Sequence, residues 1–214
     1  MERPQAAQSA VGRRKTALLV VDVQNDFCPG GALAVPDGDS IVPSINRLAR
    51  DYANVVLTQD WHPAGHASFA SSHPGCSPYE QISLSYGPQV LWPDHCVQGT
   101  SGAEFHPALD IPHARLILRK GIHKGVDSYS AFQEADRTSD TGLGGYLRSL
   151  GVDSVDICGL ATDFCVAWTA LDARAAGFKV RVLLHSCRAI DLNGSLAAAQ
   201  LQMSQAGCDL ITNG

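Results

Sequence analysis

Three absences narrow the reading of this chain before any motif does. No apolar run approaches the roughly 18 residues that a membrane-spanning helix needs, so no span and no membrane partner are expected. Basic charge is not in surplus. Lys and Arg number 16 against 21 Asp and Glu, a net charge of −5, which argues against nucleic-acid binding through a basic face. No CxxC pair occurs among the 7 cysteines, so a structural zinc ribbon is not expected. The opening "MERPQAAQSAVGRRKT" lacks the apolar core of a secretory leader. Scattered cysteines behind such a start read as reduced thiols in a cytoplasmic protein.

The rest of the composition is that of an ordinary globular protein, 45% hydrophobic and 17% charged. A length of 214 residues suits one domain and is short for two. Residues 1–15 are expected to be a mobile tail, and 16–214 a single domain.

Within it, short runs rich in β-branched residues alternate with helical patterns. Strands are expected at Thr16–Val23, Asn54–Asp60, Ala114–Lys120, Ser154–Gly159 and Lys179–Leu184, with "CDLIT" near the C-terminus as a sixth. Helical spacing marks "SIVPSINRLARDY", Gly142–Leu150, Asp163–Ala176 and Leu196–Gln205. Strand–helix alternation implies parallel strands joined by right-handed crossovers. The expected fold is a three-layer α/β/α domain around an open six-stranded parallel sheet. Residues 61–113, rich in His, Pro, Gly and Ser, break the pattern as a long loop region of the kind that carries function.

Ligands of open parallel sheets bind beyond the carboxyl ends of the strands. Those ends carry Asp22, Asp60, Lys120 and Cys165. A thiolate, a proton carrier and donors for an oxyanion are what a cysteine amidohydrolase needs. Cys165 falls at an expected helix start, where the dipole favours its thiolate. Asp22 can carry its proton, Lys120 can hold Asp22 charged, and the N–H groups of Ala161 and Cys165 can receive an oxyanion. A buried cysteine is more often a packing residue, and Cys28, Cys76, Cys96, Cys158, Cys187 and Cys208 are read that way. A second constellation, Asp60, His62 and His66 in "DWHPAGH" with His95 in "WPDHCVQGT", suits zinc, iron or manganese.

The stretches "VVDVQNDFCPGGALAV", "TQDWHPAGHASFA", "LWPDHCVQGT", "RKGIHKGVDSYSAF" and "GLATDFCVAWTALDA" together resemble the nicotinamidase branch of the isochorismatase-like cysteine hydrolases. The resemblance runs from about residue 16 to 212. It implies a catalytic triad of Asp22, Lys120 and Cys165, with Lys124 the competing lysine. It also implies a cis peptide at Leu160–Ala161 beside an oxyanion hole of Ala161 and Cys165. The implied metal ligands are Asp60, His62 and His95, with His66 left open, and the implied cofactor is one divalent ion, zinc before iron or manganese. Phe27, Trp92 and Tyr129 correspond to the aromatic walls of the substrate pocket. The implied reaction converts nicotinamide, and by extension pyrazinamide, to the acid and ammonia through a thioester. Relatives are often oligomeric, so a homo-oligomer stays open. The rival readings are a sister hydrolase of another small amide, and a non-catalytic thiol-based redox or binding protein.

Overall fold

A computed structural model describes residues 15–213. The expected tail lies, except for Lys15, outside the described residues. Thr16–Val21 (β1) and Asn54–Asp60 (β2) are followed by a small hairpin, Gln81–Leu84 (β3) and Gly87–Val90 (β4). Leu116–Lys120 (β5), Ser154–Leu160 (β6), Lys179–Arg188 (β7) and Asp209–Ile211 (β8) complete the strands. The helices are Val42–Ala49 (α1), Leu143–Ser149 (α2), Ala167–Ala175 (α3) and Ser195–Gln205 (α4). Six strands form one parallel sheet in the order β5-β2-β1-β6-β7-β8.

Each sheet strand falls on an apolar run, because a strand covered on both faces has no polar side to show. β2 is buried at every position and β1 at all but its first. Helix α1 turns Val42, Ile45 and Ala49 inward, the stripe that helical spacing produces. The handedness of the crossovers puts α1 on one face, and α2, α3 and α4 on the other.

Two expectations are corrected. β7 continues four residues past Leu184, to Arg188. The loop region 61–113 contains the antiparallel hairpin β3–β4, paired only with itself. Its strands are four residues each with Gln89 alone buried, so they carry no apolar run for sequence periodicity to register.

The chain leaves β1 toward β2 on one side and later returns to place β6 on β1's other side, so the strand order reverses between β1 and β6. That reversal is where open α/β sheets hold ligands. Gly159 on β6 makes the close pairing there. Its φ is +120°, and a Cβ would lie 2.1 Å from the Val21 carbonyl oxygen.

Candidate active site

β1 ends at Val21, and Asp22 turns out of the strand in the left-handed region (φ 49°), so its carboxylate sits at the crevice floor. The neighbouring parallel strands β2 and β5 pair Asp60 with Lys120 in register, so their side chains share one face. Lys120 is fully buried. Its Nζ lies 2.7 Å from Asp60 Oδ1, 2.8 Å from Asp22 Oδ2 and 3.4 Å from Cys165 Sγ, and donates to Ser128 O at 3.0 Å. The competing Lys124 is exposed.

Asp22 Oδ1 accepts from Thr58 Oγ1 at 2.6 Å. Oδ2 is buried and held by the Lys120 ammonium at 2.8 Å. Burial, with Asp60 nearby, raises the Asp22 pKa although Lys120 pulls it down. Burial works the same way on Asp60, but there Lys120 and His62 win and hold the carboxyl well below its usual range. Lys120, despite burial, is kept firmly protonated by the two carboxylates.

Cys165 sits in a single π-helical turn, Thr162–Val166, in which Val166 N–H reaches back to Ala161 O at 3.1 Å. Such turns concentrate at functional sites. The cis peptide at Leu160–Ala161 is present immediately before it. The resting state of the thiol differs from expectation. Burial pushes the Cys165 thiol well up, and Asp22 and Asp60 add to this against Lys120, so the sulfur rests protonated. Two nearby carboxylates and the loss of water outweigh the dipole of a short turn.

Ligand atoms of Asp60, His62 and His95 all lie within 4.8 Å of one another, and all three residues are buried. His62 Nε2 is 3.4 Å and His95 Nε2 3.7 Å from Asp60 Oδ2. Their other nitrogens face carbonyls, His62 Nδ1 that of Gly121 at 3.0 Å and His95 Nδ1 that of Pro93 at 2.8 Å. A carbonyl only accepts, so each Nδ1 carries the hydrogen and each Nε2 is turned toward Asp60, the orientation of a metal-binding imidazole. Gly121 allows this approach, since a Cβ there would lie 2.4 Å from the His62 ring. The donor set therefore fits a divalent ion.

His66 is brought alongside, its ring 4.2 Å from that of His62. Its Nδ1 contacts Ser68 Oγ at 2.8 Å, and its Nε2 faces the carbonyls of His123 and Val126 at 3.1 Å. His62, His66 and Asp127 also bring their ligand atoms within 4.8 Å of one another. Burial and the neighbouring His62 push the His66 pKa down to about 4.

Above this floor opens a cavity lined by Phe27, Trp92 and Tyr129 together with Asp60, His95, Ala161 and Cys165. All three expected aromatic walls are therefore present. Sequence reasoning gave no role to Asp127, Ile190, Phe164 or Leu33, which complete the lining. Asp127 sits inside the quoted "GVDSYSAF" stretch, where an acid before Ser reads as a turn former. Its Oδ2 accepts from Gln89 Nε2 at 2.7 Å, and Tyr129 Oη accepts from Trp92 Nε1 at 2.8 Å.

Comparison with known proteins agrees with this geometry. The Isochorismatase domain matches residues 16–213. A nicotinamidase of Acinetobacter baylyi is 58% identical over 197 residues, covering 92% of each chain. A solved nicotinamidase/pyrazinamidase of Acinetobacter baumanii superposes with a TM-score of 0.92 at 61% identity, covering 93% of this chain and 96% of that one. A pyrazinamidase of Pyrococcus horikoshii in complex with zinc has a TM-score of 0.76 at 37% identity, covering 93% and 99%. A catalytic-type cluster at the β1–β6 crevice, the fold around it and these likenesses converge: the chain belongs to the isochorismatase-domain family.

Proposed function

We propose that this amidohydrolase is a nicotinamidase that uses Cys165 as nucleophile and a bound divalent metal to seat its substrate. The observation that carries the reading is the position of Lys120. One buried ammonium contacts Asp22, Asp60 and Cys165 together, joining the acid–base group, the metal cluster and the thiol beneath one aromatic-walled cavity.

In this reading the Asp22 carboxylate, which Lys120 contacts through Oδ2, takes the Cys165 proton as sulfur attacks the carboxamide carbon. The oxyanion forms against the N–H groups of Ala161 and Cys165. Asp22 then gives the proton to the amide nitrogen, the C–N bond breaks, and ammonia leaves a thioester on Cys165. Water, deprotonated by Asp22, attacks the thioester. The C–S bond breaks, nicotinate departs and the thiol regains its proton. Burial raises the proton affinity of Asp22, which favours its taking up the thiol proton. Lys120 keeps Asp60 and Asp22 from repelling one another and stays charged throughout.

Asp60, His62 and His95 would hold the ion, zinc before iron or manganese. When bound it supplies a Lewis-acid contact for the pyridine nitrogen, orienting the ring. Phe27, Trp92 and Tyr129 form the walls for that ring. The seven free thiols fit a reducing compartment such as the cytoplasm, and among the described residues no helix is long and apolar enough to cross a membrane. The place of the product in NAD salvage follows from the same substrate assignment.

The test is ammonia release from a panel of small amides by the metal-loaded protein. Nicotinamide should be turned over with the highest kcat/KM, and rapidly quenched enzyme should carry a nicotinoyl adduct on the Cys165 peptide. Preference for an aliphatic amide, or no ammonia from any amide, would overturn the reading in favour of a sister hydrolase or a non-catalytic thiol protein.

A further inference from the structure

Asp163, two residues before Cys165, has a buried side chain that the chemistry above leaves unused. Its Oδ1 accepts from the backbone N–H of Ile190 at 3.1 Å. Its Oδ2 accepts from the N–H of Asp191 at 2.8 Å and from Ser195 Oγ at 2.5 Å. The receiving segment is an irregular link between β7 and α4 in which Asp191 and Asn193 both adopt left-handed backbone (φ 54° and 53°). Successive N–H groups in such a conformation form a nest that binds an anion, and here the protein fills the nest with its own carboxylate. Ile190, one of the two residues held, lines the cavity beside Cys165 and Ala161.

We infer that Asp163 is a positioning residue: its carboxylate ties the turn that carries Cys165 to the loop that carries Ile190, and so sets the fit of the carboxamide substrate between nucleophile and wall. The inference rests on the proposed nicotinamide reaction for its kinetic consequence, but not for its structural one. Asn is the informative replacement. It keeps the size of Asp163 but has one acceptor oxygen, so its NH₂ must face a backbone N–H, donor against donor. A buried N–H left unpaired drives the loop to move. Displacement of an apolar wall alters ring binding in the range of roughly 10–200-fold for one methylene's worth of fit.

Two measurements on the full-length, metal-loaded protein test this. In amide hydrogen exchange, the Ile190 and Asp191 N–H groups should be protected in the parent and exchange at least about tenfold faster in Asp163→Asn, in line with loss of a local closing contact. In steady-state kinetics, Asp163→Asn should raise KM for nicotinamide by about tenfold with kcat changed far less, the pattern of lost ground-state fit. Ser195→Ala, which removes one of three donors, should shift KM in the same direction by less and guards against a misfolded Asn variant. In an Ile190→Ala background, the Asp163→Asn penalty on KM should largely vanish. Unchanged protection at Ile190 and Asp191, or a KM penalty that persists without the Ile190 side chain, overturns the inference. A parent that fails to hydrolyse nicotinamide overturns the proposed function instead, while the exchange result still decides whether Asp163 holds the loop.

Discussion

Two carboxylate–cation pairs set in register on neighbouring parallel strands of the sheet do different work. On β2 and β5 the pair is Asp60 with Lys120; on β6 and β7 it is Asp156 with Arg181. Asp156 is saturated. Arg181 Nε donates to its Oδ1 at 2.7 Å, and Oδ2 accepts from both Arg181 Nη2 and Tyr52 Oη. The Arg181 side chain is 49% exposed, so one cation serves one carboxylate at the edge of solvent. Lys120 is wholly buried and shared between two carboxylates and a thiol. A satisfied network stiffens a fold. A cation shared by two carboxylates leaves the pair with a net negative charge and so with the capacity to take a proton.

Removing the thiol from the shared cluster should have the largest effect. Cys165→Ala should abolish ammonia release while leaving the denaturation midpoint close to the parent's, because the lost thiol is small. Cys158→Ala, equally buried but one strand position away from the crevice, should keep activity. Comparable rates in Cys165→Ala and the parent would end the covalent reading.

The next effect sharpens the contrast between the two carboxylates. Asp22→Asn keeps the shape and removes the proton carrier, so kcat should fall by at least ~100-fold, the usual scale for acid–base loss. Lys120→Ala should be comparably damaging and the exposed Lys124→Ala mild. A dispensable Lys120 beside an essential Lys124 would move the cluster off the strand end.

How much of this was legible depended on whether a side chain's role follows from its strand. Asp22, Asp60 and Lys120 were readable because an apolar run ends at each, and the end of a parallel strand is a place with a function. The residues proposed as aromatic walls and metal ligands came from motif resemblance; Phe27, Trp92, Tyr129, Asp60 and His95 line one cavity, and His62 lies beside Asp60. The π-turn left no trace, because five-residue hydrogen bonding has no spacing signature distinct from the helix that follows. Asp127 and Ile190 went unassigned for a related reason: they reach the site from loops, and the partners of Asp163 in the π-turn lie far along the chain, at Ile190, Asp191 and Ser195. The upward push on the Cys165 thiol was not legible, because it comes from burial and from carboxylates on other strands, which no local window contains.

A smaller effect concerns the metal cluster that shares Asp60 with Lys120. Nicotinamide offers a ring nitrogen, whereas benzamide has the same outline and none. If the ion grips that nitrogen, chelation should lower kcat/KM for nicotinamide by roughly 10²-fold, a few kcal/mol of lost contact, and leave benzamide nearly unchanged. His62→Ala and His95→Ala should each lower metal content and raise KM for nicotinamide. Equal discrimination between the two amides before and after chelation would mean that the metal is structural.

The smallest effect on activity should come from the saturated carboxylate, and it is the control for the whole contrast. Asp156→Asn removes the charge that Arg181 and Tyr52 both address, and burial with that carboxylate is what raises the Tyr52 phenol. Breaking a buried ion pair costs about 3–5 kcal/mol when both partners are enclosed. Arg181 is half-exposed and can turn to water, so the loss of folding stability should be nearer ~1–3 kcal/mol, the penalty for a buried acceptor network left incomplete. That loss should appear as a lower denaturant midpoint with unchanged slope. Asp156 is not on the cavity wall, so kcat/KM per folded enzyme should stay within about twofold, as for sites that do not couple. A drop in kcat as large as that of Asp22→Asn would show that the two carboxylates are not divided into one that holds the fold and one that works.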